Sequence, residues 1–191
     1  METEKIVAAY FQHVPVEVLE KAKQIKVLIT DIDGVLTDGG IIYDNAGMEF
    51  KKYNVKDGLI VQQLKRAGFL VGAITGRASQ VVENRCEELR FDFHYHGVKD
   101  KLKKLTELME TMELDLEEVA YIGDDLIDLP VLTRVGLAIA PADALPYVRA
   151  AVAYVSPIDG GKGVFREVGD LLLHAKGQLV PLVDNLVKKE G

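Results

Sequence analysis

Four short clusters of polar residues have the composition of a site that handles phosphate with a divalent cation. Asp31-Ile32-Asp33-Gly34 sets two carboxylates one residue apart, immediately after the apolar run Ile25–Thr30. At the end of a buried strand such a pair repels and is costly to desolvate. A bound cation removes that cost, and magnesium prefers oxygen ligands. Thr75-Gly76-Arg77 follows a second apolar run, Phe69–Thr75, and leads into a helical pattern. A hydroxyl, a free backbone amide and a guanidinium at a helix start can receive phosphate oxygens. Gly97-Val98-Lys99-Asp100-Lys101 follows a third run, and a lysine there could neutralise phosphate oxygens and developing charge. Gly123-Asp124-Asp125-Leu126-Ile127-Asp128 closes a fourth run with three acids in five residues. Each cluster also has an ordinary reading: a solvated turn, a helix cap, an exposed lysine, acids placed favourably at a helix N-terminus.

The clusters gain meaning from the elements that must position them. Apolar, β-branched runs at Ile25–Thr30, Phe69–Thr75, Phe91–Tyr95, Glu118–Gly123, Val135–Ala140 and Ala151–Val155 read as strands. Helical spacing occupies Gly58–Ala67, Ser79–Leu89, Asp100–Met112 and Leu126–Thr133 between them. Continuous apolar strands joined by helices predict an α/β fold with a doubly wound, Rossmann-like parallel sheet and helices on both faces. In such sheets ligands bind beyond the carboxyl ends of the strands, where all four clusters fall. Gly39–Val55 interrupts the alternation with two extended runs around Asp44-Asn45-Ala46-Gly47, the pattern of an inserted β-hairpin. No repeat or long linker divides the chain, so residues 1–191 read as one domain. The tail after Gly177 reads as a short helix with a loose end.

Bulk properties bound the partners. The chain has 191 residues, 48% of them hydrophobic, and a net charge of −7; its mean hydropathy is +0.08. That balance argues against nucleic acid or an anionic membrane as the partner, but not against a small anion met by local cations. No run has the length of a membrane span and the N-terminus lacks the pattern of a signal peptide, so a cytoplasmic protein is expected. The single cysteine, Cys86, excludes an intramolecular disulfide and reads as a small buried residue of a helix. His94-Tyr95-His96 has the alternation of a metal-binding pair. No third ligand is in sight along the sequence, and the pair reads as polar residues at a strand end.

Taken together, an acid pair, a hydroxyl, a lysine and an acid cluster follow successive strands in the order of the four motifs of the haloacid dehalogenase (HAD) superfamily, which the chain resembles from Ile25 to about Arg166. The resemblance implies a magnesium-dependent phosphomonoesterase. In it Asp31 is the nucleophile that forms an aspartyl-phosphate, and Asp33 protonates the leaving oxygen. Thr75 and Lys101 hold the transferring group. Asp31, the backbone carbonyl of Asp33, and Asp124 would hold Mg2+; Asp125 or Asp128 would orient a metal-bound water or Lys101. Too few residues separate the motifs for a cap domain, so something else must cover the site. The apolar hairpin residues Ile41, Ile42, Tyr43, Met48, Phe50 and Tyr53 suggest that hairpins of several subunits pair and do so.

DIDGVLTDG, NVKDG, ITGR, YIGDDLIDLPV, VGLAIAPADA and GGKGVFREV are more closely similar to the capless 3-deoxy-D-manno-octulosonate 8-phosphate (KDO 8-phosphate) phosphatase family. That family makes a lipopolysaccharide precursor and consists of homotetramers. The likeness implies a phosphorylated sugar acid as substrate, with contacts from Gly76 and Arg77 and further candidates at Lys162 and Arg166. Three departures stand out: His96 stands where a glutamine is familiar, Lys162 where an arginine is common, and the tail is less glycine-rich than in some members. Alternative readings are a phosphatase for the nine-carbon KDN 9-phosphate, a receiver-like domain, or a noncatalytic phosphate-binding module.

Overall fold

In the computed structural model, which describes residues 2–188, six apolar runs form one parallel sheet. The strands are β1 (Val27–Thr30), β4 (Leu70–Ile74), β5 (Phe93–Tyr95), β6 (Val119–Ile122), β7 (Leu137–Ala140) and β8 (Tyr154–Val155). Their spatial order is β5-β4-β1-β6-β7-β8. The chain winds outward from β1 in one direction, then returns to wind outward in the other. The topological switch point therefore lies at the carboxyl end of β1, between β4 and β6. Thr30 pairs there with Ala73 on one side and Ile122 on the other.

Side chains alternate across the sheet and sort the core into two layers. Leu28, Val71, Ala73, Ala120 and Ile122 face α2 (Val16–Gln24), α3 (Val55–Arg66), α4 (Gln80–Leu89) and α8 (Val164–Ala175). Val27, Ile29, Ile74 and Tyr121 face α5 (Lys101–Met112), α6 (Leu129–Leu132) and α7 (Pro146–Arg149). Leu28, Ile29, Leu64 and Leu105 are fully enclosed, and each such side chain contributes about 1.5–3 kcal/mol of transfer free energy. Gly72 is needed because a Cβ there would lie 2.1 Å from the ring of Phe93 on the neighbouring strand.

The structure departs from the sequence reading in several places. α1 (Glu2–Tyr10), α2 and α8 are helices where none was anticipated. α3 begins at Val55, before Gly58, because the Asn54 side chain accepts from the Lys56 backbone N–H at 3.0 Å and caps it. The segment Leu126–Thr133 is a 3-10 turn (Leu126–Asp128) followed by one turn of α6, since Asp125 and Asp128 bind backbone N–H groups at its start. The tail forms α9 (Leu179–Lys188), packed on α1 and α8; its expected loose end lies outside the described residues.

The insertion is a hairpin of β2 (Ile42–Tyr43) and β3 (Glu49–Phe50), each two residues long. The Asp44 carboxylate accepts from the Ala46 and Met48 backbone N–H groups and closes the turn. Ile42, Tyr43, Met48 and Phe50 are exposed, as expected. Tyr53 is not: it packs against the core with the Arg85 guanidinium 5.4 Å from its ring centre. Hairpin, α3 and β4 use up the chain between Asp33 and Thr75, and α4 and β5 that between Thr75 and Lys101. No cap domain is present among the described residues.

Candidate active site

The switch point opens into a cavity of about 510 Å³ lined by Asp31, Asp33, Gly34, Thr75, Gly76, Arg77, Lys99, Asp124 and Asp125, among others. Four separate strand ends deliver these residues. Asp31 follows β1 and is almost fully buried; its Oδ1 accepts from the Ile32 backbone N–H at 2.7 Å. Asp124 follows β6 and can approach only because Gly34 has no side chain. A Cβ at Gly34 (φ +81°) would stand 2.0 Å from Asp124 Oδ2. The glycine of the DxDG motif thus makes room for the acid cluster that follows β6.

Lys101, at the start of α5, reaches inward and is enclosed. Its Nζ lies 2.7 Å from Asp31 Oδ2 and 2.7 Å from Asp128 Oδ1. Burial works against the ammonium, but the charges of Asp31 and Asp128 outweigh it and raise the lysine pKa. Asp128 is the hub behind the site. Its Oδ1 also accepts from the Tyr121 hydroxyl at 2.8 Å, and its Oδ2 from the Asp124 and Asp125 backbone N–H groups at 3.1 and 3.3 Å. Of the two roles left open for Asp125 and Asp128, contact with Lys101 falls to Asp128. Asp125 instead caps the 3-10 turn, accepting from the Leu126 N–H at 2.6 Å.

The residues present fit a divalent cation. Asp31, Asp124 and Asp128 each bring an oxygen into a group lying within 4.8 Å of one another, and Asp124 Oδ1 is buried with no partner. Burial, then the charges of Asp31, Asp128 and Asp125, push the Asp124 carboxyl up to about 8. Burial and Asp128, opposed by Lys101, push Asp31 up to about 6. These carboxylates are poised for a cation that would accept their charge. The Asp33 side chain is turned away from this group, so its part as a ligand would rest on the main-chain carbonyl.

Asp33 faces cations of the rim. Its Oδ1 accepts from Lys51 Nζ and from the Thr37 hydroxyl (3.4 Å), and its Oδ2 lies 3.8 Å from Arg77 Nε. Lys51, on the hairpin, was missed in the sequence because single lysines are common; no local signal marks it. The hairpin is latched to its own subunit's site: Arg77 donates to the Tyr43 hydroxyl at 3.0 Å, and the Ser79 hydroxyl to Glu49 at 2.8 Å. Thr75 is buried at the site, its Oγ1 accepting from the Arg77 N–H at 3.5 Å.

Lys162 and Arg166 are not brought to this cavity. They line a separate one of about 330 Å³ beside Tyr10, Lys56 and Glu167, and Arg166 Nε is paired with Asp170 at 2.7 Å. The cause is the Gly160-Gly161 turn, which packs its backbone on Gly34 and Thr37 and carries α8 away from the mouth.

Comparison with known proteins agrees with this geometry. Residues 95–168 match the haloacid dehalogenase-like hydrolase family. Over 172 residues the chain is 44% identical to the 3-deoxy-D-manno-octulosonate 8-phosphate phosphatase KdsC of Escherichia coli K12, covering 90% of this chain and 92% of that one. The chain belongs to the KDO 8-phosphate phosphatase family. Crystal structures of family members superpose closely. The Moraxella catarrhalis phosphatase, in complex with magnesium, phosphate and KDO, has a TM-score of 0.87 at 38% identity, over 89% of this chain and 98% of that one. The cobalt-bound Haemophilus influenzae phosphatase has a TM-score of 0.80 at 40% identity, over 83% and 93%. The family fold is thus carried by most of the chain.

Proposed function

We propose that this KDO 8-phosphate phosphatase family member hydrolyses KDO 8-phosphate to KDO and phosphate, through a phosphorylated Asp31. The observation that carries the reading is the buried contact of Asp31 with Lys101, beside the unpartnered oxygen of Asp124, at the mouth of the switch-point cavity. The complex named for the Moraxella relative supports the sugar acid as ligand.

A carboxylate approaching a phosphate monoester meets like charge worth about 4 kcal/mol per unit pair at 4 Å and an effective dielectric of about 20. Lys101 sets ammonium charge directly beside the attacking oxygen, and Asp128 keeps it there. Mg2+, held by Asp31, Asp124 and the Asp33 carbonyl, would supply electrostatic stabilisation of the transferring group. The Asp31 oxygen attacks phosphorus, the bond to the sugar oxygen breaks, and Asp33 gives that oxygen its proton. Asp33 then takes a proton from the water that cleaves the acyl phosphate, which regenerates Asp31. Thr75 and the Gly76 backbone position phosphate oxygens. Arg77 faces the sugar acid from the rim, and the covered Lys51 holds the Asp33 carboxylate beside it.

The exposed apolar strip of the hairpin supports pairing between subunits, and we infer a homotetramer in which neighbours complete the cover of each mouth. A monomer by multi-angle light scattering at micromolar concentration would remove that part. In that tetramer Lys162 and Arg166, which line a separate cavity of their own subunit, serve a neighbour's mouth. A lone thiol with no disulfide partner suits a reducing, cytoplasmic setting; among the described residues no helix is long and apolar enough to cross a membrane. Phosphate release measured side by side on KDO 8-phosphate and KDN 9-phosphate with Mg2+ tests the substrate. A higher kcat/KM on the nine-carbon acid would replace the assignment.

A further inference from the structure

The edge strand β5 and the helix before it hold a second group of metal-ligating side chains. His94 and His96 project from the same face of the β5 end, and α4, which covers that face, turns Cys86 back toward them. One donor atom from each of the three lies within 4.8 Å of the others. His94 Nδ1 and His96 Nε2 stand 2.7 Å apart, with the rings at 67°. His96 Nδ1 is buried with no hydrogen-bond partner, a costly condition in a protein interior. Cys86 is enclosed, 1% exposed, while the two imidazoles are half-buried and leave a path from solvent. Nothing in the phosphatase chemistry uses these residues.

We propose that Cys86, His94 and His96 form a second metal site, selective for a thiolate- and imidazole-binding divalent ion of the zinc class. One sulfur and two ring nitrogens are three of the four donors of a tetrahedral site. The fourth position falls to water or to Glu83, which lies one turn before Cys86 on α4. The donor set discriminates against magnesium, which takes oxygen ligands and keeps its waters. On binding, the Cys86 S–H bond gives its proton to solvent as the metal–sulfur bond forms. The proton shared between the facing ring nitrogens moves to an outward nitrogen. No oxidant or reductant takes part.

The position gives the ion a consequence. α4 begins directly after Thr75-Gly76-Arg77, and β5 leads into Val98, whose N–H donates to the Thr75 carbonyl at 3.0 Å, and on to Lys101. An ion bridging α4 and β5 clamps together the two segments that present Arg77 and Lys101.

The test is a cobalt titration of the full chain in excess Mg2+, which keeps the carboxylate cluster occupied. One Co2+ per chain should bind, with a near-ultraviolet thiolate-to-cobalt charge-transfer band and the intense visible bands of four-coordinate cobalt. Zn2+ should bleach both. Cys86→Ser should abolish the charge-transfer band. The half-buried His96→Gln, which leaves the core intact, should weaken Co2+ binding by more than the roughly 10–100-fold that loss of an outer-sphere partner costs. Asp124→Asn should leave the spectrum unchanged. Absence of the charge-transfer band in the unsubstituted protein, its survival in Cys86→Ser, or unaltered Co2+ affinity in His96→Gln would overturn the proposal.

Discussion

The mouth at β1 and the edge at β5 gather ligands of opposite character by opposite means. At the mouth, Asp31, Asp124 and Asp128 come from two strand ends far apart in sequence, meet around Lys101, and concentrate negative charge in a buried place. At the edge, Cys86, His94 and His96 belong to a single helix–strand unit. The first cluster strains against its own charge, and a hard cation would relieve that strain. The second is held by packing and offers sulfur and nitrogen donors, which suit an ion that bonds strongly to both. If the proposed edge site holds its ion, one sheet keeps reactive and structural metal chemistry apart. Strand ends converge at its centre, whereas its margin offers only local neighbours.

The sharpest break of that contrast is at Asp31. Asp31→Asn should lower kcat on KDO 8-phosphate by roughly three orders of magnitude or more while the protein stays folded, as the nucleophile is lost but a like charge is also removed. Phosphate release and a thermal melt check both halves. Near-normal turnover would mean that the mouth is not the reactive cluster.

Next comes Lys101→Met. It leaves Asp31 and Asp128 buried without their cation, and removal of one partner from such a set costs about 3–5 kcal/mol. Urea unfolding should show that loss, and turnover should fall with it. An unchanged midpoint would deny that Lys101 offsets the charge of the cluster.

The pH response distinguishes the two sites further. The Asp124 carboxyl is raised in the folded protein to about 8, so between the unfolded value and that pH the native state binds more protons. In that window the metal-free protein loses stability as pH rises, by up to about 1.4 kcal/mol per unit. Mg2+ must displace this proton, so its stabilising effect should grow from acid pH and level off above about 8. Burial pushes the Cys86 thiol up to about 12, so Co2+ binding at the edge should keep strengthening beyond the point where Mg2+ levels off. Melting temperatures and titrations across pH read both curves, and identical profiles would erase the distinction.

The smallest effect is expected at a buried acid outside both clusters. Burial raises Asp57 to about 6, although it accepts from the Arg166 backbone N–H at 2.8 Å. A carboxylate raised in this way destabilises the fold above that pH. Asp57→Asn keeps the accepting oxygen and should add about 1–2 kcal/mol near neutral pH, with no change in turnover. A loss of stability would show that the charge itself is required there.

Much of the site was legible because strand carboxyl ends converge. Once the apolar runs were recognised, Asp31, Thr75, Lys101 and Asp124 had to meet. What escaped involved partners that spacing cannot reveal. Asp125 and Asp128 were both left as candidates to orient Lys101, and spacing could not choose between them; the bond of Asp128 to the Tyr121 hydroxyl escaped altogether, since it lies behind the cavity wall. Lys51 reaches Asp33 only because the hairpin folds back over its own mouth. Lys162 and Arg166 were expected at the substrate, but the turn at Gly160-Gly161 diverts them. Among helices, α1, α2 and α8 escaped notice because they lie outside the regular alternation of strand and helix.

The sequence by itself determined the parallel sheet, its switch point and the four polar clusters, since hydrophobic period and strand polarity are local properties that any folded arrangement must respect. Only the tertiary structure decided which acid steadies the lysine, which cations guard the rim, and that Cys86 faces His94 and His96. Those outcomes depend on how helix faces and loops seat against the sheet, which is a matter of packing between segments rather than of order along the chain.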